Sequence, residues 1–147
     1  MDDATFWRLI GMLDWDQTGD DDGVAEPVIA ALASLDADEI HAFQNMLAAH
    51  LWELDGRAWA KQSGDGIWWG NDSLSSDGFL YARCVVVANG KAFHEAVRLD
   101  PAKMPKEMEF ESLLYLAPKA FERKTGRQYD RPTDVSFETY SNTGGWT

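Results

Sequence analysis

The stretch Leu35-Asp36-Ala37-Asp38-Glu39-Ile40-His41-Ala42-Phe43-Gln44-Asn45-Met46-Leu47 decides the fold. Asp36 stands where an N-cap belongs, Glu39 follows three residues later as in a capping box, and Leu35 and Ile40 are placed to close a hydrophobic staple. Ile40, Phe43, Leu47, His50, Leu51, Leu54 and Ala58 then recur every three or four residues, a period that no strand can bury on one face. The spacing predicts a long central helix that ends by about Lys61.

Working outward, the same periodicity predicts a helix over about Ala4–Leu13 capped by Asp2 or Asp3, and a second over about Ala25–Ser34 with Pro27 tolerated in its first turn. Beyond the central helix, Gln62–Ser76 loses all period and reads as a loop holding Trp68 and Trp69. Helices resume over Phe79–Ala88, where the β-branched run Val85-Val86-Val87 also suits a strand, then over Lys91–Arg98 and over Glu107–Lys124 with a break at Pro118. The expected fold is all-α: one compact domain of five or six helices over residues 1–126, and an extended or loosely docked tail over 127–147.

Composition narrows the function classes. At 147 residues the chain has the size of one domain, and its longest apolar runs fall far short of the roughly 20 residues of a membrane span. The opening Met1-Asp2-Asp3 is acidic where a secretory leader needs bases, and a single cysteine, Cys84, sits in an apolar run and reads as a buried small hydrophobe. Cytoplasm is therefore the expected compartment. The net charge of -12 is uneven: Asp2, Asp3, Asp14, Asp16, Asp20, Asp21, Asp22, Glu26, Asp36, Asp38 and Glu39 face Arg8 alone in residues 1–40. Such a segment repels nucleic acid, whose recognition needs clustered Lys and Arg, and a charged partner would be a basic protein.

Together Phe6-Trp7-Arg8-Leu9-Ile10, Leu35–Ile40 with Phe43, Ser76-Asp77-Gly78-Phe79-Leu80-Tyr81-Ala82-Arg83 continuing to Gly90-Lys91, and Ala120–Gly126 resemble a bacterial helical family, the domain of unknown function DUF4240. The resemblance spans residues 4–126 in order, and its most specific piece is the Ser-Asp-Gly-Phe-x-Tyr-x-Arg segment. It departs at Ala82, at Val85 and in the turn Gly70–Ser75. The resemblance implies an all-helical fold and carries no activity.

No catalytic motif stands in the chain. Asp14, Asp16, Thr18 and Gly19 match the first places of a calcium loop, yet the twelfth is Ala25 where a bidentate Glu is required. His41, His50 and His94 show no His-Glu-x-x-His spacing; His41 and His50 lie on opposite sides of one helix, and His50 reads as a core residue, so no metal or cofactor set is expected. The candidate binding residues are Trp68, Trp69, Asn71, Asp77 and Arg83. Trp68 and Trp69 stand in a glycine-flanked loop, where rings either pack or are presented for recognition; Asp77 either caps the helix near Phe79 or lines a pocket beside them. The expected function is a non-enzymatic binding domain for a basic protein, to which an antitoxin- or immunity-like role is suited. The alternative is an enzyme or small-ligand domain with a pocket near Asp77, Trp68 and Trp69.

Overall fold

A computed structural model describes residues 1–147. Seven α-helices, where five or six were expected, follow one another, with short 3-10 turns between the first two and between the last two: α1 Asp3–Ile10, α2 Asp21–Ala33, α3 Ala37–Glu53, α4 Arg57–Ala60, α5 Ser76–Ala88, α6 Lys91–Leu99 and α7 Leu116–Thr125. Aspartate and serine start several of them. The side chains of Asp2, Asp20, Asp36 and Ser75 accept backbone N–H groups at the first turns of α1, α2, α3 and α5. At α3 half of the capping box forms: Asp36 accepts the Glu39 N–H at 2.9 Å, whereas the Glu39 carboxylate turns to the N-terminal ammonium of Met1 at 3.9 Å.

Two cores lie on either side of α5. The larger gathers residues of α1, α2, α3, α5 and α7, including Phe6, Phe43, Leu47 and Cys84; the smaller gathers Leu54, Ala60, Ile67, Phe79, Ala82, Val86, Val97 and Met104. Leu80, Cys84 and Val87 of α5 face the first, and Phe79, Ala82 and Val86 the second. A helix buried on both sides is apolar all round, which accounts for the run Val85-Val86-Val87 inside a helix. Each fully buried Phe or Leu in these cores contributes roughly 1.5–3 kcal/mol by leaving water.

Four expectations are corrected. The chain carries a small antiparallel hairpin, β1 Trp68–Gly70 and β2 Ser73–Leu74, where a plain loop was expected. Asn71 and Asp72 both have positive φ (52° and 60°), as a tight two-residue hairpin turn of type I′ requires. The central helix stops at Glu53 rather than near Lys61, because Asp55 and Gly56 are buried against the tail, and Ala58 is exposed on the separate α4. α2 begins at Asp21, four residues early, so Pro27 lies inside it and Ala25 is a buried helical residue. The chain from Glu107 to Phe110 is not helical; a 3-10 segment Glu111–Tyr115 leads into α7, and Pro118 sits in its first turn, where a missing N–H costs nothing.

The tail has no helix beyond the 3-10 turn Thr143–Gly145. Asp55, fully buried, accepts the backbone N–H groups of Tyr140 and Asn142 at 3.2 and 2.9 Å. Gly145 passes so close to the Asp55 carbonyl that a Cβ there would lie 2.3 Å from it. No helix is long and apolar enough to cross a membrane.

Candidate functional site

The sequence-selected residues separate in space. Arg83 points into the protein, wholly buried, donating to the Leu51 carbonyl (3.0 Å) and the Thr139 hydroxyl (3.1 Å) with its guanidinium over the Phe79 ring. It is a structural tie to the tail. Trp68 is half-buried against the smaller core, while Trp69 on the next position of β1 is 59% exposed. Asn71 is exposed at the hairpin turn, and neighbouring Asp72 pairs with Arg57 (Nε to Oδ1, 2.6 Å). Asp77 is exposed on the first turn of α5; Ser75, not Asp77, caps that helix.

Asp77 does line a cavity, though one that contains neither tryptophan. An open cleft of about 720 Å³ runs between α5, α7 and tail residues 128–138, with Gln44 of α3 in its wall. Tyr81, Tyr115, Tyr129 and Phe137 give it aromatic surface. Its polar groups include the carboxylates of Asp77, Glu122 and Glu138. Tyr115 donates its O–H to Glu111 Oε1 at 3.0 Å, so its free capacity is a lone pair. Contact with the same Glu111 carboxylate pushes the Tyr81 phenol up to about 12, keeping it protonated. Gln44 is 4% exposed, and its Oε1 has no hydrogen-bond donor within the protein. A buried acceptor without a donor is uncommon and forfeits roughly 1–3 kcal/mol.

The charges of the cleft are also one-sided once ion pairs are removed. Its two bases are engaged, Lys119 with Asp22 (3.6 Å) and Arg131 with Asp38 (3.0 Å), whereas Asp77, Glu122 and Glu138 make no ion pair. The acidic N-terminal segment is correspondingly less free than its charge suggests. Lys91, Lys119, Arg123 and Arg131 pair with Asp3, Asp22, Glu26 and Asp38, while Asp2, Asp14, Asp20 and Asp36 cap helical turns.

A second, smaller cavity of about 170 Å³ lies at the C-terminal end of α3. There His50 and Glu53 meet His94 of α6, three potential metal ligands whose donor atoms lie within 4.8 Å of one another. The histidine spacing gave no hint of this, because His50 and His94 are brought together by helix packing. The one local signal was His50-x-x-Glu53, which puts an imidazole and a carboxylate one turn apart on the same helix face. Burial of His94 holds its pKa below the ordinary value, so its ring is neutral and fit to ligate at neutral pH. Cys84 is inert by comparison: burial pushes its thiol up to about 12.

A mostly helical single domain, built around an apolar helix and carrying a small hairpin and two polar cavities, is the class these features define. The sequence model of the family described as "Protein of unknown function (DUF4240)" matches residues 1–123, and the chain belongs to that family. No curated protein and no solved structure matches it.

Proposed function

We propose that this protein is a cytoplasmic, non-catalytic recognition domain whose cleft receives a lysine or arginine side chain from a basic protein partner. The observation that carries the reading is the unbalanced charge of the cleft: its two bases are already paired, whereas Asp77, Glu122 and Glu138 line it without ion pairs beside the aromatic rings of Tyr81, Tyr115, Tyr129 and Phe137. An ammonium or guanidinium brings donors and positive charge together, and it is the charge that aromatic rings attract. An antitoxin- or immunity-like role is the narrower form of this proposal. The cleft volume also lies in the range of small-molecule sites, which favours a free amine or guanidine compound as the second reading.

The test is fluorescence anisotropy with a labelled Gly-Arg-Gly-Lys-Gly peptide, alongside a Gly-Glu-Gly-Glu-Gly control. Saturable binding of the basic peptide is expected. It should weaken as ionic strength rises from about 0.01 to 0.15 M, where the Debye length shortens from ~30 to ~8 Å. Loss of that binding in the Asp77→Asn, Glu122→Gln, Glu138→Gln triple variant assigns it to the cleft. Equal binding by the triple variant, or none by the wild type, sinks the proposal; capture of free arginine but not the peptide selects the second reading.

A further inference from the structure

We propose that His50, Glu53 and His94 form a binding site for one divalent transition-metal ion of the zinc class. Two imidazoles and a carboxylate are the borderline ligands that such an ion takes, and three protein ligands plus a solvent molecule complete a tetrahedron. The adjoining cavity supplies the space for that fourth position.

The surroundings of the ligands match what a metal demands of its outer shell. His94 donates Nε2–H to the His50 carbonyl at 3.1 Å, which fixes its tautomer and leaves the Nδ1 lone pair free. His50 directs Nδ1 at Glu53 Oε1, 3.1 Å away, while its Nε2 lies 3.8 Å from Asp3 Oδ1. An ion that takes Nδ1 leaves the ring proton on Nε2, on the side of the Asp3 carboxylate. Arg98 holds the other oxygen of Glu53, Oε2, at 3.8 Å and leaves Oε1 turned toward the histidines. The Trp7 ring, 4.8 Å from the His50 ring and 5.6 Å from the His94 ring, walls the site on another side.

The movement required is small. Metal bonds of about 2.0–2.2 Å place tetrahedral ligand atoms about 3.3 Å apart. The 4.8 Å span closes by small rotations of the Glu53 and His50 side chains, 36% and 17% exposed, toward His94, which is buried and stays in place. The site shares no residue with the larger cleft, so its test stands apart from that of the recognition role.

The experiment titrates ZnCl2 calorimetrically into the full chain after EDTA treatment and dialysis, with CoCl2 as an optical probe of coordination. One ion per chain is expected, with visible cobalt bands of tetrahedral intensity and a zinc-dependent rise in Tm, as ligand binding to the native state requires. Asp3→Asn should weaken binding by about 10- to 100-fold, as loss of an outer-shell partner does. Glu53→Gln, a partly exposed substitution that should spare the fold, and the His50→Ala, Glu53→Gln double variant should lose both the cobalt bands and the Tm rise. Circular dichroism checks that each remains helical. No saturable heat with the wild type, or unchanged affinity in the folded double variant, overturns the site.

Discussion

The carboxylate of Asp55 accepts the indole N–H of Trp146 at 3.0 Å, across 91 residues of chain. Asp55 is fully buried and accepts two backbone N–H groups of the tail as well, so its charge is satisfied by hydrogen bonds. Arg83, buried nearby and bound to Thr139, fastens the same segment from the other side, with its Nε left unpartnered. The tail thereby closes the end of the fold where α3 gives way to α4.

Asp55→Ala should therefore destabilise the protein by about 3–5 kcal/mol, since it leaves three donors and the buried Arg83 charge uncompensated. Asp55→Asn, which keeps an acceptor, should cost less. Urea denaturation followed by circular dichroism ranks the two. An alanine variant within ~0.5 kcal/mol of wild type would mean that the tail is held by other contacts.

Stability should fall with acid in two stages. Burial, reinforced by the charges of His50 and Arg98 and opposed by its bond to the His50 carbonyl and by Glu53, sets the His94 pKa below its ordinary 6.5. The unfolded chain thus binds the proton first, so stability is complete above 6.5 and declines as pH drops toward the folded value. Glu53, held below the ordinary 4.5 chiefly by its hydrogen bond to His50, adds a further decline below that pH. With EDTA present, urea midpoints between pH 8 and 4 should show both stages, with His94 adding at most about 1.4 kcal/mol per pH unit to the first, which His41, also held below 6.5 by burial, shares. His94→Gln should reduce the slope of the first stage, leaving the part due to His41.

Helix starts were legible because their physics is local. Asp36 and Glu39 announce α3 within four residues, and Asp36→Ala should cost about 0.5–2 kcal/mol in the same denaturation assay. Features made by distant contacts left weaker marks. Nothing near Asp55 shows that it will end α3 by binding Trp146, and the sequence leaves α5 open between helix and strand at Val85-Val86-Val87 because a helix buried on both sides has no polar face. The hairpin turn Asn71-Asp72 carried a readable signal, both residues tolerating positive φ, which the surrounding glycines obscured. Of the candidate site, Asp77 alone lines the large cleft. Gln44, Glu122 and Glu138 join it from elements that packing brings together, and Gln44 was hidden in the apolar face of α3.

Gln44 provides a test in which stability and recognition move in opposite directions. Its Oε1 is buried without a donor, so the folded protein forfeits a hydrogen bond that the unfolded chain makes to water. Gln44→Leu replaces the amide with an apolar group of similar size and should raise stability by about 1 kcal/mol, the reverse of most core substitutions. If Gln44, as part of the cleft wall, helps to seat a cationic side chain, the same change should weaken binding of the Arg- and Lys-containing peptide by at least about tenfold, the equivalent of ~1.4 kcal/mol. Paired denaturation and anisotropy measurements on this single variant read both quantities. A gain in stability with unaltered peptide affinity would remove Gln44 from the recognition surface, and a loss of stability would show that its amide is satisfied within the fold.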